Sequence, residues 1–93
     1  MLRSFRDKAT ERVWRGERVA RLGRDVQRQA YIRLRRLHVA ETLDDLRAMR
    51  GNRLEKLRGD RAGQHSIRIN DQWRICFQWT DHGPQNVEIV DYH

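Results

Sequence analysis

The stretch NDQWRICFQW, Asn70 to Trp79, carries the clearest pattern in the chain. Its alternation is that of a β-strand, with Trp73, Ile75, Phe77 and Trp79 on one face and Arg74, Cys76 and Gln78 on the other. Four large apolar side chains on one face need a second layer to bury against. The other face, led by an arginine, is left for something polar.

The flanking segments fix how this strand is paired. In HSIRI, Ile67 and Ile69 alternate with Ser66 and Arg68. For Ile67 and Ile69 to share the core face with Trp73 and Ile75, Ile69 must sit opposite Trp73. That leaves Asn70, Asp71 and Gln72 as a three-residue hairpin loop, a known if less common length. In this register Arg68 lies opposite Arg74. Like charges across a strand pair destabilise it, and a bound polyanion would relieve the cost. Downstream, TDHGPQ reads as a break and NVEIVDYH as a last strand. Its adjacent Ile89 and Val90 predict cover on both faces and so a central position. Upstream, RLEKL predicts a short strand and GDRAGQ a turn-rich loop.

The first half of the chain is helical. LRSF predicts a short strand, and DKATERVW a helix capped by Asp7. Gly16 and Gly23 punctuate the next stretch. Asp25 is the expected cap of a longer helix, VQRQAYIRLRRLHVA, with Val26, Ala30, Leu34 and Leu37 on its apolar stripe and Arg28, Arg35 and Arg36 off it. ETLDDLRAM predicts one more helical segment, with Thr42 and Asp45 as a carboxylate variant of the capping box. Helices followed by an antiparallel sheet give an α+β fold, and 93 residues fit one domain, 1–93.

A net charge of +7 comes almost wholly from arginine, since Lys8 and Lys56 are the only lysines. The planar guanidinium fork suits phosphate, so a nucleic acid or another polyanion is an expected partner. The plainer reading is a solvated basic surface. A single cysteine, Cys76, excludes an internal disulfide and fits a reducing cytoplasm. The first residues lack the apolar region of a signal peptide, and no apolar run approaches the roughly 20 residues of a membrane span, so neither export nor a membrane partner is expected.

Most catalytic signatures are absent. There is no CxxC, HExxH or phosphate-binding loop, and His38, His65, His82 and His93 lack ligand spacing, so neither metal nor cofactor is expected. Cys76 in a strand reads as a small buried hydrophobe, and Ser66 offers no triad. What remains is a polar set of Arg58, Arg68, Arg74, Asp91, Tyr92 and His93. Such groups suit RNA cleavage by the neighbouring 2′-hydroxyl, which needs a base, an acid and positive charge on the phosphorane. DNA lacks that hydroxyl. At strand ends the same residues are more often ordinary surface groups.

The run LEKLRGDRAGQHSIRINDQWRICFQW, Leu54 to Trp79, with the later VEIVDYH, resembles the HigB branch of the RelE/ParE toxin superfamily. The similarity is close from Arg53 to His93 and looser through SFRDKATERVWRGERV. It implies helices packed on one face of a small antiparallel sheet. It also implies a ribosome-dependent endoribonuclease that cuts mRNA in the A site and so blocks translation. By that resemblance Arg74 is the phosphate-stabilising arginine, and Asp91, Tyr92 and His93 are the acid–base and positioning groups. Arg58 stands where some members carry a lysine, and Lys56, Arg61 and Arg68 are expected RNA contacts. Some members carry a histidine where this chain has Glu55; a carboxylate there is either a base or a structural strand residue. The implied partners are mRNA, the ribosome with its rRNA, and a cognate helix-turn-helix antitoxin of HigA type. Two other functions fit the same fold: a ParE-like poison of gyrase, and a non-catalytic subunit that binds its antitoxin. Arg74 with the Asp91-Tyr92-His93 ending favours the nuclease.

Overall fold

The computed structural model describes residues 1–92; the expected site residue His93 lies outside them. Helix α1, Lys8–Trp14, begins where the Asp7 side chain accepts the Thr10 amide, as expected. Helix α2 runs from Arg24 to Val39, two residues earlier than its apolar stripe suggests. Its N-cap is Gly23, without a side-chain cap, and Asp25 sits in the first turn instead. There its charge favours the helix dipole and meets Arg28 at 3.4 Å. Helix α3, Leu43–Ala48, carries the full Thr42/Asp45 capping box.

Four strands complete the fold: β1 Glu55–Lys56, β2 His65–Arg68, β3 Trp73–Thr80 and β4 Gly83–Asp91, in the order β1-β2-β3-β4, all antiparallel. The β2–β3 register is the one the isoleucines require: Ile67 pairs with Ile75 and Arg68 with Arg74. Asn70 shapes the three-residue loop, its Oδ1 accepting the amides of Gln72 and Trp73. β1 is shorter than RLEKL suggests, because Arg53 takes a positive φ of 44° that no strand allows.

β4 is not the central strand that Ile89 and Val90 suggest. It ends the sheet, and only a short stretch of the N-terminal segment pairs beyond it, through the Phe5–Val87 bridge. Arg3 and Arg6 donate to the Pro84 and Val87 carbonyls, and Val87 donates to Ser4. LRSF is thus one bridge rather than a strand. The break is also shorter than TDHGPQ: Asp81 and His82 alone join β3 to β4. An edge strand tolerates Pro84, whose carbonyl faces Arg3 and not the β3 ladder. A bulge lies between the Cys76–Glu88 and Gln78–Gln85 pairs, with Asn86 at φ 53° as the extra residue.

The inner sheet face and the helices enclose one core in which Val13, Leu34, Leu37, Leu46, Ile75 and Phe77 are fully buried. Among the described residues no helix is long and apolar enough to cross a membrane. Gly83 stands at φ +115°, and a Cβ there would strike the Met1 carbonyl. Gly83→Ala should therefore lower stability by about 1–3 kcal/mol, whereas Gly23→Ala, with open space around it, should cost less, about 0.5–1 kcal/mol for the poorer N-cap.

Two histidines border this core. His65 pairs with Phe77, and its Nδ1 is buried with no hydrogen-bond partner among the described residues. Burial lowers its pKa first, and the charges of Lys56 and Arg47 add to this. His38 is lowered by burial, then by the Met1 amino group and Arg35. Both are held neutral in the fold, so the unfolded chain takes up protons first as pH falls. Stability should be lost as pH drops below about 6.5, the unperturbed histidine pKa. A melting temperature that falls between pH 7.5 and 5.5, and a much flatter profile for the His38→Gln/His65→Gln variant, are the expected results. Asp45, held low by the Glu41 and Thr42 amides, titrates in a more acid window.

Candidate active site on the outer sheet face

Strand parity decides which side chains meet. Ser66 pairs with Cys76, Cys76 with Glu88, and Arg74 with both Arg68 and Val90, so all of these share the face turned away from the helices. Glu55 of β1 pairs with Ser66 and joins them. Arg74 is at the centre and only 8% exposed. Its Nε donates to Ser66 Oγ at 2.8 Å, and its Nη2 to the Arg53 carbonyl at 2.6 Å and the Ser66 carbonyl at 3.3 Å. Glu55 Oε2 lies 4.0 Å from Nη2, and the guanidinium stands 5.9 Å from the Tyr92 ring centre. Among the described residues Nη1 has no hydrogen-bond partner. Arg74 is therefore a cation fixed through Nε and Nη2, the preset charge that a developing anion requires.

The expected charge repulsion between Arg68 and Arg74 is relieved inside the protein, without a polyanion. Arg68 forms an ion pair with Asp71 in the hairpin loop, while Arg74 is held by oxygen acceptors. The left-handed backbone of Arg53 turns its carbonyl to Arg74; strained residues of this kind concentrate at functional sites.

The other expected site residues are spread more widely. Arg61, in the 3-10 turn Gly59–Arg61, reaches across the face to Glu88 at 3.0 Å and to Gln64 Oε1 at 3.1 Å. Burial alone would lower its pKa; the Glu88 hydrogen bond, with the charges of Cys76, Glu88 and Tyr92, outweighs burial and raises it. Arg58 precedes that turn and is exposed. Lys56 pairs with His65 and so has the opposite parity to Arg74. Tyr92 is 38% exposed, its amide donating to the Gln72 carbonyl at 2.6 Å. Asp91 pairs with Trp73 on the parity of the core face, and Gln72 Nε2 donates to its Oδ2 at 3.2 Å. Cys76 is buried, and burial pushes its thiol pKa up, with Arg61 opposing. A protonated thiol is a poor nucleophile. Among the described residues no group of three His, Cys, Asp or Glu side chains could hold a metal ion.

Sequence reasoning passed over three participants. Ser66 anchors Arg74, and the β2–β3 register already puts it diagonal to Arg74. Glu88 could be found the same way once Ile89 is aligned with Ile75. The Arg53 carbonyl has no sequence signal, because a non-glycine residue at positive φ leaves none.

The family model for RelE-like HigB toxins of type II toxin–antitoxin systems matches residues 3–93. Toxin HigB-1 of Vibrio cholerae serotype O1 is 37% identical over 82 residues, 87% of this chain and 86% of the relative. The YoeB–YefM complex from Staphylococcus aureus contains a chain with the same fold, at a TM-score of 0.64 and 16% identity, covering 100% of this chain and 98% of that one. With its three helices on one face of a four-stranded antiparallel sheet, the chain belongs to the HigB-like family of RelE-like toxins of type II toxin–antitoxin systems.

Proposed function

We propose that this toxin is a ribosome-dependent endoribonuclease that cleaves mRNA in the ribosomal A site, acts in the cytoplasm, and is held in check by a cognate antitoxin. The observation that carries the reading is Arg74, a nearly buried guanidinium fixed by Ser66 and the Arg53 carbonyl on the sheet face turned away from the helices. In such a reaction the 2′-oxygen attacks the adjacent phosphorus and the 5′-oxygen leaves. Arg74 stabilises the charge that gathers on the phosphoryl oxygens. A base removes the 2′-hydroxyl proton and an acid protonates the leaving oxygen. Glu55, Tyr92, Asp91 and His93 are the candidates; Glu55 Oε2 lies 4.0 Å from Arg74 Nη2. Arg61 reaches across the same face to Glu88. Among the described residues few acid–base groups stand close together on that face, which fits a substrate whose geometry the ribosome arranges.

The test is translation of a defined mRNA by purified ribosomes with the toxin added, and mapping of the cut ends. Cuts inside the A-site codon, absent when ribosomes are left out, are the expected result. Intact mRNA together with inhibited gyrase supercoiling would overturn the reading in favour of a gyrase poison. Equal cleavage of free mRNA would remove the ribosome from it.

A further inference from the structure

The outward face of α2 is unlike an ordinary wet helix face. Arg24, Arg28, Tyr31, Ile32, Arg35 and Val39 are all exposed and fall within about 100° of arc around the helix. Tyr31, Ile32 and Val39 are 39%, 40% and 57% exposed, and the other exposed large apolar side chains among the described residues are Met1 and Tyr92. A groove of about 400 Å³ opens beside the stripe, lined by Val13, Gly16 and Tyr31 with Arg18, Arg24 and Arg28. The surface is preset: Trp14 stacks on Tyr31 at 5.7 Å, and the Arg35 guanidinium lies 5.9 Å from the Trp14 ring centre.

Charge is concentrated on the same layer. Residues 1–40 carry twelve basic and four acidic side chains, a net +8, while residues 41–93 carry eight basic and nine acidic. The excess positive charge of the whole protein therefore belongs to the helical half and not to the strands that hold Arg74.

We propose that the α2 stripe and its adjoining groove dock an acidic amphipathic segment of a protein partner, which is the antitoxin if the pairing proposed above holds. A nucleic acid would use the arginines and leave Tyr31, Ile32, Val39 and the apolar groove unfilled. A protein segment with acidic flanks and apolar anchors uses both, and tyrosine and arginine around an apolar centre are what protein interfaces favour. α2 has 16 residues, a track about 24 Å long, enough for several turns of a partner helix. Because α2 lies on the inner side of the sheet, a segment docked there leaves the Arg74 face uncovered.

The test uses the intact toxin and a fluorescent helical peptide of about 18 residues, with leucines along one face and glutamates elsewhere. A scrambled peptide of equal composition and a uridine oligomer are compared with it. The amphipathic peptide should bind about tenfold more tightly than the scrambled one. Tyr31→Ser/Ile32→Ser and Arg28→Gln/Arg35→Gln should each weaken it by about tenfold or more, measured well below each variant's melting temperature with circular dichroism confirming the fold. Arg74→Ala should bind the peptide like wild type. No peptide binding would overturn the proposal. So would apolar variants that bind normally while the arginine variants lose peptide and RNA alike, the mark of a plain polyanion surface. Cleavage on ribosomes without peptide binding sinks the docking surface alone, and peptide binding without cleavage sinks the nuclease reading alone.

Discussion

Arg74→Ala should slow cleavage of ribosome-bound mRNA by about 10²–10³, the usual cost of losing one preset electrostatic stabiliser, and should abolish growth arrest. The guanidinium is fixed before substrate arrives, by Ser66 and by the Arg53 carbonyl. Its positive charge therefore needs no reorganisation as negative charge gathers on the phosphoryl oxygens. The same bonds give Arg74 a structural share. Removing it leaves the Ser66 hydroxyl and the Arg53 carbonyl short of a donor, at about 1–3 kcal/mol. Rates should thus be compared well below the variant's melting temperature, with circular dichroism confirming the fold. Arg74→Lys separates charge from geometry: it keeps the cation but loses the fork that binds Ser66 and Arg53 together. It should be intermediate in rate. Ser66→Ala leaves the guanidinium in place with one anchor fewer and should cost less than Arg74→Ala. A folded Arg74→Ala protein that cleaves at the wild-type rate would make Arg74 a structural residue and move the phosphate-binding role to Arg58 or Arg61.

Period-two alternation made β2 and β3 legible, because four isoleucine and tryptophan positions must share one buried face and only one register allows it. The capping residues Asp7 and Thr42 were legible for the same reason: a local hydrogen bond decides them. What depends on distant chain was not. The place of β4 at the sheet edge depends on how little of the N-terminal segment pairs beyond it. Gly23 caps α2 through backbone conformation, so Asp25 attracts attention in its place. The site divides along the same line. Arg74 was readable from its parity, and so was its sharing a face with Tyr92. That Arg61 is tied to Glu88, that Lys56 stands on the other parity, and that Arg68 is paired within its own loop depend on register and loop geometry together. The arginines off the apolar stripe of α2 read as a wet surface until their exposed apolar neighbours appear beside them.

Phe77→Ala should destabilise the protein by about 3–5 kcal/mol, the range for truncating a large buried aromatic. Phe77 is fully buried and is the largest such side chain in the core. It sits in the long central part of β3, with β2 on one side and β4 on the other. His65 pairs with it across the strands, ring centres 6.3 Å apart. The bulge at Asn86 is directly across on β4, between the Cys76 and Gln78 pairings, so the backbone there has little freedom to close over a cavity. A domain of this size has only about 5–15 kcal/mol in total, so much of its stability should go. Trp73→Ala, at the edge of the same face and 9% exposed with Arg21 above its ring, should cost less, since solvent can fill part of the space. Denaturant unfolding at constant slope measures both. A Phe77→Ala midpoint equal to wild type would mean that the inner face of β3 does not hold the sheet to the helices.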